Sequence, residues 1–526
     1  MRKFISLFKV QLLGFNSLNG SGKRKKRAKG VAANASVILL IAAAIVFFGY
    51  TYARMFGVNL QSGKALNKLL PLMLGISVYV NFFLSFFSAT NSLFVFKDYE
   101  LLSALPVKSS VVVLAKFINM YARDLFFTVC ILAPTFAVYS KLGGTVSAVL
   151  VLKYVAIVLF SPFFAIAASV IVGVVFSAFS SLFRRKNIVN IILLLLFMLG
   201  IFAASFISGL SFSGTSNGYI AFVEKIYFFT PWIVKVEEQP LYLLWFVLVN
   251  FACFIAVYAP VTVLYGKLNA LFTARKKVKG FKLREYTGKS TFSALLNREF
   301  KRLFSCPIYA LNSMVGAVMG VVAVAALAIV LCITSDGAGL SAQTGEFFIS
   351  LMPSVFSFLF VLSPTTACSI SLEGTAFWVV KTAPVDMKTY FNAKLALNAV
   401  FYVPCAIFVS LVMAIIAGTS FVTVFLCVLS ATLIALFGGS LGLLYNLLFP
   451  KFKWENETQV VKQGLPCFLT VITAFVMSGL FVLAATMIKI PSVWILFIIT
   501  AFLFVANILV YSTIMNKGEK MIMKKL

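Results

Sequence analysis

Twelve stretches of this chain run for about twenty residues or more almost without charge: roughly 31–53, 69–94, 114–138, 146–178, 188–210, 241–266, 308–334, 347–371, 395–418, 420–448, 464–488 and 491–515. About 20 residues is the length a helix needs to cross the hydrocarbon core of a bilayer. The runs are continuous and do not alternate with period two, so a transmembrane barrel is not expected. Composition agrees, with 61% apolar residues and only 11% charged ones, against about 25% charged in soluble domains. The expected fold is an all-α, polytopic bundle of twelve membrane-spanning helices, with Pro162 a kink point in the long fourth run.

The formal charge of +30 invites a nucleic-acid reading, but its placement argues against one. Arg2 to Lys29 holds nine cations and no acid ahead of the first run. Cations then recur at every second turn: Lys97, Lys108 and Lys116; Arg184, Arg185 and Lys186; the segment Lys267–Arg302; Lys381, Lys388 and Lys394; Lys451, Lys453 and Lys462; and Lys517, Lys520, Lys524 and Lys525. The intervening turns are poor in them. The positive-inside rule therefore puts both termini in the cytoplasm, and attraction to anionic lipid at about 1 kcal/mol per cation suffices to explain most clusters. The first run follows some 30 basic and polar residues and is long enough to remain a span, so no cleavable leader is expected.

Motifs for chemistry are absent. There is no histidine, the eight cysteines stand singly, and a zinc or haem site has little to build from; the cysteines read as small core hydrophobes. No phosphate-cradling GxxxxGK[ST] loop, GxSxG elbow or HExxH pair occurs. The chain is not expected to be an enzyme or to carry a cofactor. The adjacent Arg123 and Asp124, inside the third run, form a candidate intramembrane ion pair, and Lys153 lies near the end of its own run.

Runs seven to eleven, shifted back by 278 positions, fall close to runs one to five. In the same frame Pro106, Val107, Ala115 and Lys116 coincide with Pro384, Val385, Ala393 and Lys394. The chain thus reads as a tandem duplication of a six-span unit, and because six is even the copies are parallel. The division expected is a first half at 1–266, a basic linker with an amphipathic segment at 267–302, and a second half at 303–526. Residues 211–240 are an aromatic-rich insertion, with Trp232 and the set Tyr219, Phe222, Tyr227, Phe228 and Phe229; short interfacial or re-entrant helices on the outer face are expected there. Two matching proline-started loops on one face suit a two-fold symmetric soluble partner.

The stretches FKDYELLSALPV at 96–107, ISLEGTAFWVVKTAPV at 370–385, NREFKRLFSCPIYALN at 297–312 and LLFPKFKWENETQVVKQG at 447–464 resemble the ABC-2 type permeases of bacterial ABC exporters, in particular the fused twelve-span permeases of Gram-positive bacteria. The resemblance implies a permease in the bacterial plasma membrane that pairs with two copies of a separate ATPase, which would hold ATP and magnesium. It implies coupling helices between the second and third spans of each half. The residues that would meet the ATPase are Asp98, Glu100, Pro106 and Lys116 in one loop, and Glu373, Gly374, Phe377, Trp378, Pro384 and Lys394 in the other. Amphipathic helices before each half are implied at 1–15 and 290–306. The loops differ: Glu373-Gly374 faces Val95-Phe96, and Asp98 and Glu100 face Ala376 and Trp378.

Spans rich in Phe, Leu and Val, without a charged pocket, lean toward the export of a hydrophobic or amphipathic cargo. Two other classes fit the residues: an ion-coupled secondary transporter and a membrane scaffold or regulator that transports nothing. Lipid is a partner under all three readings.

Overall fold

The computed structural model describes residues 39–61, 66–93, 108–183, 188–196, 232, 241–273, 288–334, 342–454, 457–487 and 490–525, isolated positions within these ranges excepted. Among them there is no strand, and ten helices are long and apolar enough to cross a membrane. These ten answer ten of the twelve apolar runs. The other two, 31–53 and 188–210, lie partly outside the described residues. Among the described residues the architecture is all-α, with helices that suit a multi-pass membrane protein. Most of segment 211–240 and the linker residues 274–287 also fall outside.

The chain forms two compact units, residues 1–186 with 207–279, and residues 187–206 with 280–526. The first contains α1 (Leu69–Ser88), which continues into a π-helical turn at Ala89–Leu93, then α2 (Ser109–Lys141), α3 (Ala148–Ser181) and α4 (Leu241–Thr273). Pro162 lies inside α3 without ending it. α1 packs on α2 and α3, and α4 packs on α2 and α3. The core of this unit is built from residues such as Leu72, Leu132, Ile157 and Phe246, and Trp232, the one described residue of the 211–240 insertion, packs against it.

The second unit contains α5 (Thr291–Ser305), α6 (Pro307–Thr334), α7 (Ala342–Val361), the short α8 (Thr366–Ser369) and α9 (Phe377–Thr382), α10 (Met387–Ile416), α11 (Phe421–Leu448), α12 (Thr458–Val461), α13 (Leu465–Met487) and α14 (Ser492–Met523). Here α7 packs on α10 and α11, and α14 packs on α10 and α11. These pairings repeat those of α1 with α2 and α3 and of α4 with α2 and α3. The starts of α2 and α10, Ser109 and Met387, lie 278 positions apart, the offset read from the sequence. One difference from the sequence division stands out. Residues 188–196, counted from the sequence with the first half, belong to the second unit, where Ile191 and Leu195 pack with Leu303, Tyr309 and Leu397.

Local chemistry sets the ends of the elements that matter for the site. The Ser290 side chain caps α5 by accepting from the Ser293 amide at 3.3 Å, which satisfies one of the four orphan donors of a helix start. The helix stops at Cys306, which is extended (φ −115°, ψ 98°), as the residue before a proline prefers. α5 is amphipathic, burying Glu299 and Leu303 while Lys301 stays exposed. α10 is capped by the Asp386 carboxylate, which accepts from the Lys388 amide at 3.3 Å.

Candidate functional site

The second unit is interrupted where α7 ends. Past Val361 the chain leaves helical geometry around Pro364, re-forms a single turn as α8, tightens into a 3₁₀ segment at Ser371–Ala376 and starts again as α9. A break of this kind leaves backbone groups without helical partners, which apolar surroundings penalise by several kcal/mol per group. Side chains from other helices meet that demand. Tyr402 of α10 donates its hydroxyl to the Ser363 carbonyl at 2.9 Å, and Tyr309 of α6 donates to that of Thr365 at 2.9 Å. Asn398 accepts from the Thr365 amide and hydroxyl, each at 3.0 Å. Asn446 of α11 donates to the Ala367 carbonyl at 2.7 Å and accepts from the Ser371 hydroxyl at 2.7 Å. The Trp454 indole donates to the Ser371 carbonyl at 2.8 Å.

Glycines let α11 come close enough for this. A Cβ on Gly439 would sit 2.6 Å from the Asn398 amide nitrogen, and one on Gly442 would sit 2.6 Å from the Thr366 hydroxyl. The Thr366 hydroxyl in turn donates to the Gly439 carbonyl at 2.6 Å.

A charge cluster closes the far side of the break. Glu373, whose side chain is 0% exposed, accepts from Arg298, from Arg302 at 2.7 and 3.0 Å, and from the Tyr390 hydroxyl at 2.9 Å. Lys394 lies 3.3 Å from the same carboxylate and 3.0 Å from that of Glu299, with its ammonium 4.7 Å from the centre of the Tyr390 ring. Arg302 also approaches Glu299 at 3.4 Å. Burial alone would lower the Arg302 guanidinium, but the hydrogen bond to Glu373 and the charges of Glu299 and Glu373 outweigh it and hold its pKa above the ordinary value. Three cations thus surround two carboxylates, and removal of either acid would leave like charges facing one another.

The residues expected to meet a partner separate into two groups. Trp378 is 64% exposed and Val379 47%, and Lys381, Thr382 and Pro384 are exposed beside them. Glu373, Gly374, Phe377 and Lys394 are interior. Phe377 packs on Phe452 and Tyr390. Gly374 has φ +58°, and a Cβ there would meet the Trp454 ring at 3.1 Å, so only glycine fits both the turn and the contact. The Glu373 carboxylate, expected to meet the partner, points toward three cations of its own chain. Asp98, Glu100 and Pro106 lie outside the described residues. Lys116, 278 positions before Lys394, is also buried and donates to the Tyr265 hydroxyl at 3.0 Å.

Arg123 and Asp124 lie side by side within α2. Arg123 reaches Asp124 at 2.8 Å and donates also to Ser88 and Ser85 of α1, while the Ser85 hydroxyl donates to the fully buried Asp124. One level along, Asn81 donates to Thr128 at 2.7 Å. Among the described residues no group of three or more His, Cys, Asp or Glu could hold a metal ion.

Sequence reasoning missed Arg298, Glu299, Arg302, Tyr390, Asn398 and Asn446 as members of one assembly. Their signal was a charged NREFKR stretch on an amphipathic helix and two asparagines inside apolar runs, which only a fold brings together. No protein-family model matches this chain, and no curated protein does.

Proposed function

We propose that this chain is the permease subunit of an ATP-binding cassette exporter of the ABC-2 type, working in the bacterial plasma membrane with a separate ATPase. In this reading it has twelve spans in two parallel six-helix halves, both termini are cytoplasmic, and two ATPase copies hold the ATP and magnesium. The cargo is hydrophobic or amphipathic. One observation carries the proposal: α9 presents Trp378 and Val379 outward while Phe377 and Val380 are buried beneath them. A short helix with an exposed tryptophan, backed by a rigid interior, is the form a docking element takes. The recurrence of the helix pairings of α1, α2, α3 and α4 in α7, α10, α11 and α14 supports the duplicated architecture.

The test is purification in mild detergent, with the ATPase that accompanies the chain identified and its ratio measured. Trp378→Ala is expected to weaken that complex about 30-fold, the equivalent of about 2 kcal/mol. Retention of the ATPase at native ratio after this change would remove the docking role of α9. Phe377→Ala should act differently, through loss of interior packing and a lower denaturation midpoint.

A second reading is ion-coupled secondary transport, favoured by the fully buried Asp124 beside Arg123 inside α2. Under it, neutralising Arg123, Asp124 or Lys153 abolishes flux in vesicles without any ATPase present. Under the first reading these changes leave ATP-driven transport in place wherever the protein still folds.

A further inference from the structure

The charge cluster joins three elements that the sequence keeps apart. Arg298, Glu299 and Arg302 come from α5, Glu373 from the 3₁₀ segment that leads into α9, and Tyr390 and Lys394 from α10. Glu373 is the centre, because both of its oxygens are engaged and its partners come from α5 and α10 alike. Glu299 is held through one oxygen only; the other has no hydrogen-bond partner among the described residues. Only four residues separate Glu373 from Trp378, and the space beneath them is filled by Trp454 against Gly374 and by Phe377 against Phe452. The path from the exposed face to the cluster is therefore short and packed.

We propose that Glu373, with Arg302, Arg298, Glu299 and Lys394, is a positioning latch that binds α5, the interrupted segment 362–376 and the first turns of α10 into one mechanical body. Displacement at the Trp378 face is then delivered to α5 and α10 together and is not absorbed by the broken helix. Each of these charged side chains acts by fixing where α9 points. The functional half of the inference rests on reading α9 as the docking element, whereas the mechanical half does not.

The experiment uses the full chain in lipid nanodiscs, with accessible native cysteines replaced and spin labels at the exposed positions Lys301 and Thr382, one on α5 and one on α9. The native chain should give a single narrow distance distribution. Glu373→Gln should broaden it at least about twofold, since the ligand that fixes the geometry is gone. Arg302→Gln should broaden it as well, Arg302→Lys should largely restore it, and the double change Glu373→Gln/Arg302→Gln should be no broader than Glu373→Gln alone, the non-additivity expected of residues in one network. If Glu373→Gln does not fold, Glu299→Gln, which disturbs only the contacts of Glu299 with Lys394 and Arg302, should give the same change at smaller amplitude. An unchanged distribution in a folded Glu373→Gln or Glu299→Gln chain, or strict additivity of the double change, overturns the latch.

A second arm uses the ATPase that co-purifies with the chain. Glu373→Gln should keep that ATPase bound through the intact Trp378 yet alter its hydrolysis rate by about 2- to 30-fold, the range seen for residues that carry coupling between sites. Trp378→Ala should lose the ATPase and leave the spin-label distances untouched. If Trp378→Ala retains the ATPase while the distances respond as described, the docking reading fails and the latch stands.

Discussion

Ser85 with Asp124 in the first unit and Ser363 with Tyr402 in the second occupy matching places, each pair 278 positions from the other, yet they solve the same contact with opposite chemistry. In the first unit the seam between α1 and α2 is ionic: Asp124 takes the Ser85 hydroxyl and the Arg123 guanidinium. In the second, the Tyr402 hydroxyl lies 2.6 Å from the Ser313 carbonyl and 2.9 Å from that of Ser363, sharing its single hydrogen between them. At the buried lysines the second unit shows two carboxylates around Lys394, and the first shows a tyrosine hydroxyl beside Lys116. The scaffold fixes where polar contacts fall; which residues make them varies. That freedom has an energetic consequence, because a neutral hydrogen bond contributes about 0.5–1.5 kcal/mol net whereas a broken buried ion pair costs about 3–5 kcal/mol.

The comparison breaks first at the ion pair. Arg123→Leu leaves the Asp124 carboxylate buried with Ser85 as its remaining donor and is expected to destabilise the chain by about 3–5 kcal/mol, read as the denaturation midpoint in one detergent. A loss below that of Tyr402→Phe would show that the seam of the first unit is not ionic in its energetics. Next comes Asn446→Ala, which strips partners from Ser371 and Ala367 at the break. A loss of about 2–3 kcal/mol is expected, and a neutral outcome would mean that the break does not depend on its side-chain clamps.

Glycines sharpen the contrast further. Gly439→Ala places a Cβ 2.6 Å from the held Asn398 amide and is expected to cost about 1–2 kcal/mol, even after the helix gains about 1 kcal/mol from alanine. Gly173→Ala, in α3, meets the Ala89 Cβ at 3.3 Å and should stay within about 0.5 kcal/mol of neutral, since the same propensity gain offsets a small shift. Equal effects at the two positions would deny that α11 approaches its neighbour more closely than α3 does. Tyr402→Phe is expected to cost about 1 kcal/mol. A much larger loss would place the second seam in the same energetic class as the first.

Much of this fold was legible in the sequence because span length is a property of single segments. A run of apolar residues declares itself without reference to any other part of the chain, and so does the amphipathic pattern around Glu299 and Leu303. The site was less legible. Glu373 looked like a surface acid because isolated glutamates usually are, and the cations that draw it inward lie 71 and 75 residues earlier. Asn398 and Asn446 stand out only as asparagines inside apolar runs, and that position does not say whether they face a broken backbone, water or lipid. Trp378 is legible through its neighbours in the loop, and it is exposed.

The clamped break also imposes an order on biosynthesis. The Ser371 amide and hydroxyl find their acceptor in Asn446, 75 residues further along the chain, and at ribosomal rates of 5–20 residues per second that acceptor emerges roughly 4–15 s later. During this interval the segment after α7 has left the ribosome with its carbonyls and amides still seeking partners, so it must wait in a wet environment, within the insertion machinery or at the lipid headgroups, until α10 and α11 arrive. Substitutions that delay or weaken α11 should therefore show themselves first as failed insertion of α7 and misplacement of the segment that follows it, upstream of the change itself.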